Sequence, residues 1–316
     1  MAVIGNFNLD FPQVSGYRGQ READRQHKKE NNMKFLRVGP AGQEKPAIMD
    51  KTGVVRDLSS ILSDISPATI ASGAVEKAGQ SDLAALPALD SNLRIGAPLA
   101  TTGHFIAIGL NYADHAAESG LPIPAEPIVF SKAPSTLSGP DDPVELPPDS
   151  QKTDWEVELA VVIGKKADHV SKEVALDHVF GYMVCNDISE RAWQIEGTGQ
   201  WMKGKSAPTF GPIGPWLVTA DEVGDPQSLD MYLDLNGKRV QSGNTATMIF
   251  PVAEIISYLS RHMLLLPGDL ITTGTPPGVG MGMKPPVYLK EGDKMRLGIA
   301  GLGDQNQTAV RRVMQA

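Results

Sequence analysis

The 316-residue chain is 41% hydrophobic and 21% charged, with a formal net charge of −8 and a pI of about 5.3, which suits one large folded domain or one large and one small. The acidic balance gives no footing for nucleic acid, and no apolar run approaches the roughly 18–20 residues of a membrane helix. The single cysteine, Cys185, excludes an internal disulfide and fits a reducing cytoplasm.

Residues 1–32 hold no apolar core followed by a small-residue cleavage site, so they are no signal peptide. From Tyr17 to Asn32 charges and amides dominate, and a disordered or loosely held extension is expected. Met33 opens the first strand-like run, as it would if the start had been assigned too far upstream. Residues 33–98 read as a small α+β domain. Lys34–Val38, Ala47–Met49 and Val54–Asp57 are expected strands, with "DKTG" as a tight turn. "SPATIASGAVEKAG" reads as a helix with a Ser-Pro start near Ser66. "APLATTGH" is the expected linker.

From residue 99 to 316 short apolar runs alternate with Gly and Pro. The expected strands are Phe105–Gly109, Ile128–Phe130, Val144–Leu146, Trp155–Ile163, Val179–Asn186, Trp216–Thr219, Met231–Leu235, Leu270–Thr273 and Met295–Ile299. "DLNGKRV" carries the Asn-Gly signature of a hairpin. Helices are expected at "SERAWQ" and from about Pro251. Many strands and few helices predict a mainly β, α+β catalytic domain.

The strand "TDWEVELAVVIG" contains Glu156 and Glu158. Residues i and i+2 of a strand share a face, so the two acids lie side by side, opposite Trp155, Val157 and Leu159. Buried together they repel and are costly to desolvate. The face is solvated, or the pair shares a proton, or a cation neutralises it. The continuous apolar run that follows argues against solvent. Asp187 ends another apolar strand. Three carboxylates without Cys or His suit a hard ion such as Mg²⁺ or Mn²⁺; Zn²⁺ would recruit nitrogen or sulfur.

"GLNYADHAAESG", "PIVFSKAPS", "DWEVELAVVIG", "NDISERAWQ", "KGKSAPTFGPIGPW", "GDLITTGTPPGVG" and "LKEGDKMRLGIAGLG" occur in this order. Together they resemble the fumarylacetoacetate hydrolase family over about residues 100–310. The resemblance implies a mixed β-sandwich roll behind a small N-terminal domain. It also implies a homodimer and a 2-oxo acid substrate, often an acylpyruvate. It makes Glu156, Glu158 and Asp187 the ligands of Mg²⁺, with Mn²⁺ as the alternative.

The same resemblance assigns the other roles. His115 and Glu118, one helical turn apart, match the family's His-x-x-Glu lid pair, in which His115, oriented by Glu118, is the expected catalytic base that deprotonates water; taken alone they read as ordinary surface residues. Lys205 of Gly-Lys-Ser matches the catalytic lysine that stabilises developing negative charge. Ala207-Pro208 stand where many relatives have Phe-Asp or Cys-Asp, which puts the local loop shape in question. Arg191 and Gln194 match substrate contacts, Thr275 cradles the substrate's carboxylate end, and Lys132 is a further candidate for the pocket wall. Cys185 reads as packed, and His104, His169, His178 and His262 lie outside the motifs.

The expected reaction is hydrolysis of a C–C bond in a 2,4-diketo acid. "ISERAWQ", "GQWMKGKS" and "GVGMGMKPP" look most like the branch acting on 2,4-diketo-3-deoxy sugar acids, which yields pyruvate and a short hydroxy acid. Decarboxylase, isomerase and ureidoglycolate lyase chemistry are the alternatives within the family. An inactive metal-binding protein is the alternative outside enzymes.

Overall fold

The computed structural model describes residues 33–118 and 122–313, with residues 115–117 given by their backbone. The expected N-terminal extension lies outside the described residues. The first strands are β1 (Lys34–Val38), β2 (Lys45–Met49), β3 (Val55–Asp57), β4 (Ile95–Gly96), β5 (Phe105–Gly109) and β6 (Ile128–Ser131). Next come β7 (Leu137–Ser138), β8 (Val144–Leu146), β9 (Thr153–Asp154), β10 (Val157–Ile163), β11 (Val179–Asn186) and β12 (Ser189–Glu190). The last are β13 (Gly211–Thr219), β14 (Asp230–Leu235), β15 (Lys238–Asn244), β16 (Leu270–Thr272), β17 (Lys294–Ile299) and β18 (Gly303–Arg311).

The larger sheet runs β3-β2-β1-β13-β11-β10-β16-β5-β6, with β4 beside β1 and β7 beside β13. It is mixed: β16 and β5 are parallel, while β10 is antiparallel to both β11 and β16. The second sheet runs β15-β14-β17-β18-β8. The result is a mainly β, multi-sheet fold, as the strand-rich pattern implies.

β10 shows why the sheets stack. All seven of its residues are buried. Val157, Leu159, Val161 and Ile163 face a core built with Met231, Leu233, Met295 and Leu297 of the second sheet. Ala160 and Val162 face a second core with Phe35, Ile48, Ile65 and Val75. Each large side chain so buried is worth about 1.5–3 kcal/mol, so this strand anchors both layers. The helix Val252–His262 adds Val252, Ile255, Ile256 and Leu259 to the first core, at the spacing of one helical face.

The segment 33–98 is joined to this sheet through β1, where Lys34 pairs with Val218 of β13. Its expected helix is two, Pro67–Ala71 and Ala74–Gly79, because Gly73 between them adopts φ +70°. Ser66 caps the first by accepting from the Thr69 N–H while Thr69 Oγ1 accepts from the Ser66 N–H. Asn236 and Gly237 both take positive φ in the β14–β15 turn, as a type I′ hairpin requires.

β18 departs from the sequence expectation, which stops at Ile299. Its inward residues include Gln305 and Gln307, so no apolar alternation marks it. Gln305 Nε2 donates to the Val184 carbonyl, and Gln307 Oε1 accepts from Asn186 Nδ2 at 2.7 Å. A chain of buried amides thus replaces apolar packing at the strand beside the site.

Candidate active site

Asp154, Glu156 and Glu158 occupy alternate positions leading into β10. Asp187 follows β11 directly, and its N–H donates to the Glu156 carbonyl at 2.9 Å. Glu158 lies opposite Cys185 in the β10–β11 ladder. These pairings bring one carboxylate oxygen from each of Glu156, Glu158 and Asp187 within 4.8 Å of one another, all three residues buried. The three expected ligands therefore converge.

Three cations surround them. Lys205 Nζ sits 2.6 Å from Glu156 Oε2 and 2.6 Å from Asp187 Oδ2. Lys132 Nζ pairs with Asp187 Oδ1 at 2.5 Å and donates to the Lys205 carbonyl at 2.7 Å. Arg191 bridges Glu156 Oε1 at 2.7 Å and Asp154 Oδ2 at 2.8 Å. Burial opposes the charge on Lys205, but Asp187 and Glu156 outweigh it and raise its pKa above the ordinary lysine value. Burial lowers that of Lys132.

Glu158 is the exception. It accepts from the Gly274 N–H at 2.8 Å, but no side-chain cation among the described residues pairs with it. Burial, and then the neighbouring Asp187 and Glu156 carboxylates, push its pKa well above the ordinary glutamate value. Among the described residues, four formal acids face three formal bases in this buried site. An all-oxygen donor set of this kind fits a hard divalent cation. Each carboxylate oxygen offers two lone pairs, so ligation is compatible with the pairs to Lys205 and Arg191.

Glu156 and Glu158 open into a cavity of about 280 Å³, with Asp187 buried behind them. Glu156, Glu158, Arg191, Gln194, Lys205 and Thr275 form its polar side, and Ile108, Leu110, Phe130, Ile195, Trp201 and Met281 its apolar side. Trp201 meets Phe130 edge-on at 5.3 Å. It lies so close to Gly109 that any Cβ there would collide with its ring. A cavity of about 440 Å³, walled by Met33, Glu76, Lys165, Phe180, Thr219 and Asp221 among others, shares none of these residues.

The remaining expected residues are placed as follows. Arg191 donates through all three nitrogens to protein groups, Nη1 reaching Gln194 Oε1 at 2.9 Å. That contact turns Gln194 so that its NH₂, which has no partner among the described residues, remains a donor at the cavity. Thr275 lines the wall, but its hydroxyl donates to the Val157 carbonyl and accepts from Gln241 Nε2. Lys132 is not on the cavity wall; it is buried beneath Asp187. His115 lies on the helix Ala113–Glu118, its side chain outside the description. Glu118 accepts the Gly278 N–H at 3.0 and 3.1 Å through its two oxygens, so this helix docks on the Thr275–Gly282 loop. Its root is Asn111, whose amide bonds the Phe250 and Thr273 carbonyls. Cys185 is buried and packed, its thiol pKa pushed up by burial.

Asp154 and Asn111 escaped the sequence reading. For Asp154 a signal existed: "TDWEVE" places an acid at every second position, one step earlier than the pair. For Asn111 there was none, since a buried amide that closes a turn looks like any loop polar residue.

A family model described as "Fumarylacetoacetate (FAA) hydrolase C-terminal" matches residues 104–310. A Burkholderia multivorans protein is 58% identical over 87% of this chain and 98% of its own length, and carries only a provisional name as a hydrolase. Among solved structures, the fumarylacetoacetate hydrolase of Exiguobacterium antarcticum is 36% identical with a TM-score of 0.79, over 89% of this chain and all of its own. Maleylpyruvate hydrolase from Sphingobium sp. SYK-6, solved with manganese(II) and pyruvate, is 29% identical with a TM-score of 0.72 over 89% of this chain and 100% of its own. The 2-hydroxyhepta-2,4-diene-1,7-dioate isomerase of Mycobacterium marinum is also 29% identical, with a TM-score of 0.71 over the same shares.

Proposed function

The chain belongs to the fumarylacetoacetate hydrolase family, and from that premise and the site's geometry we propose that it hydrolyses a C–C bond in a 2,4-diketo acid, releasing pyruvate. The observation that carries the reading is the buried, converging triad of Glu156, Glu158 and Asp187 beside a small cavity, with no side-chain cation on Glu158 among the described residues. A volume of about 280 Å³ is at the low end for small-molecule sites, about 300–1,000 Å³, and suits a compact acid. The manganese and pyruvate of the maleylpyruvate hydrolase structure fit the same picture.

Glu156, Glu158 and Asp187 would hold Mg²⁺ or Mn²⁺, which when bound supplies Lewis-acid polarisation and a template for the 2-oxo acid. The chain's own residues do the rest. His115, on the helical face of Glu118, takes a proton from water, and the hydroxide adds to the C4 carbonyl. The C3–C4 bond breaks, its electron pair passes to the pyruvate half as an enolate, and C3 is then protonated. Lys205, already in place between two carboxylates, offers its positive charge as the enolate develops. Gln194 Nε2 donates to a substrate oxygen, in an orientation set by Arg191. Glu118 ties the helix to the loop at Gly278 and so closes the cavity over the substrate. We further propose that the chain works as a homodimer.

The sugar-derived diketo acid is favoured by sequence likeness alone. The apolar wall of Phe130, Trp201, Leu110 and Ile195 favours a second reading, a diketo acid with a less hydroxylated acyl group. The test is pyruvate release from 2,4-diketo-3-deoxy-L-rhamnonate and -fuconate, acetylpyruvate and oxaloacetate, each with Mg²⁺ and with excess EDTA. Fast, EDTA-sensitive release from a diketo acid is expected. Release from none of them would sink the hydrolase and turn the reading to isomerase or lyase chemistry.

A further inference from the structure

We infer that Asp154 is a positioning residue that couples the acidic centre to the loop on which the Glu118 helix docks, an inference that rests on the reading of the triad as a divalent-cation site. Asp154 is fully buried and is neither one of the three converging acids nor part of the cavity wall. Its carboxylate nevertheless joins both sides. Oδ2 accepts from Arg191 Nε at 2.8 Å and from the Met281 N–H at 3.0 Å. Oδ1 accepts from the Gly280 N–H at 2.7 Å and the Trp155 N–H at 2.9 Å.

From Asp154 one path leads through Arg191 to Glu156 Oε1, at 2.7 Å, and through Nη1 to Gln194, at 2.9 Å. The other leads along the loop to Gly278, whose N–H holds Glu118 and whose carbonyl accepts from the Trp155 indole at 3.1 Å. Gly280 is required for this approach: a Cβ there would lie 2.8 Å from Asp154 Oδ1 and collide with the Val287 carbonyl.

Only a carboxylate can do this. Its two oxygens take four donors from three directions. An asparagine would turn an NH₂ against either the guanidinium and Met281 N–H or the Gly280 and Trp155 N–H groups. Glu156 can face a cation while paired with Arg191 only if Asp154 draws the guanidinium to its other side. Asp154 sits there only if Gly280 and Met281 hold it. Cation binding and loop order therefore favour the same arrangement of Arg191, and by linkage each promotes the other.

The test compares the full chain with Asp154→Asn by Mn²⁺ titration (electron paramagnetic resonance) and by hydrogen exchange of the 278–283 amides with and without Mn²⁺. In the wild type, Mn²⁺ should slow exchange in the loop. Asp154→Asn should bind Mn²⁺ about 10–100-fold more weakly, the usual cost of an outer partner of a ligand, and its loop exchange should no longer respond to Mn²⁺. Arg191→Lys cuts the same path from the other side, and the two losses in Mn²⁺ affinity should not add in the double variant. If Asp154→Asn does not fold, Arg191→Lys with the same two readouts decides. A wild type that binds no Mn²⁺ overturns the cation reading and this inference with it. A wild type that binds Mn²⁺, with variants within twofold of it or a loop indifferent to Mn²⁺, overturns the coupling alone. Additive losses, or a lower melting temperature with affinity intact, would make Asp154 a stability residue only.

Discussion

Two ionic clusters in this molecule are built from similar residues and behave in opposite ways. In the first, Arg37 pairs with Asp64 at 2.7 Å and Glu44 at 3.7 Å, and Arg94 with Glu44 at 2.8 Å and Asp142 at 2.5 Å. Every acid meets a guanidinium, and side-chain exposures of 9–31% leave water at the edge. Burial works against the Glu44 charge, but the Arg94 hydrogen bond and the Arg37 charge outweigh it, and its pKa falls. In the second cluster, around Glu156, Glu158 and Asp187, the side chains of the ion pairs are 0–7% exposed. Glu158 has no cation there among the described residues, and its pKa rises. The first cluster is a brace between the N-terminal segment and the Gly139–Asp142 turn. In the second, no described residue supplies a cation to Glu158. Three acids share two arginines in the brace and each touches a guanidinium, whereas no cation among the described residues touches Glu158; that contact separates brace from site.

The largest effect that would break this comparison comes from neutralising Glu158. Glu158→Gln keeps the shape and the Gly274 contact but removes a third of the ligand charge. Pyruvate release should fall by about 10²–10³-fold, the scale of losing one preorganised electrostatic element. Metal-free stability should hold or rise, because burying Glu158 without a cation costs either an unpaired charge or the uptake of a proton, and the amide needs neither. Unchanged turnover in steady-state kinetics would place the cation elsewhere.

A smaller effect is the pH dependence of the same group. With its pKa raised in the folded state, Glu158 binds its proton more tightly there than in the unfolded chain, where it titrates near 4.3. Its contribution to stability is complete below that value and is lost as pH rises through the raised folded value. In EDTA the melting temperature of the wild type should therefore slip relative to Glu158→Gln as pH climbs from 5 to 8. Saturating Mn²⁺ favours the ionised carboxylate and should reverse the trend, releasing a proton on binding. A gap between the two proteins that stays flat with pH in EDTA would show that Glu158 is ionised without a metal.

The two clusters also differ in how far they can be read from sequence. Glu158 stands in an apolar strand and Glu156 and Asp187 at the ends of two, where a charge is out of place and asks for a cause. Strands such as Phe105–Gly109 and Val179–Asn186 were legible for the complementary reason, since apolar residues buried on both faces leave continuous runs. The brace was not legible, because Arg37, Glu44, Arg94 and Asp142 are ordinary polar residues far apart in the chain. The pairing of β1 with β2, β4 and β13, and of β13 with β7, brings their segments together. β18 was hidden because amides, not apolar side chains, fill its inward positions. Arg191 was visible as a site residue; its partner Asp154 shared the spacing of the acidic pair, but nothing in the sequence tied it to Arg191. Spacing reveals which residues share a face, and only the fold reveals what that face meets.

The smallest effect tests the brace itself. Glu44 is shared by Arg37 and Arg94, so Glu44→Gln removes an anion from both while Asp64 and Asp142 keep each guanidinium paired. The loss should be modest, about 0.5–1 kcal/mol for a partly exposed pair, or about 1–4 °C in melting temperature for a domain of this size. It should shrink in high salt, because water and ions reach this network. Turnover should stay within about twofold, since hydrogen-bonded partners of Glu44 lie at Arg94 and not at any residue of the cavity. The measurements are thermal melts at low and high salt beside pyruvate release. A fall in turnover without a fall in melting temperature would mean that the brace is coupled to the site through β1 and β13, and the division between a saturated support and an unsaturated centre would not stand.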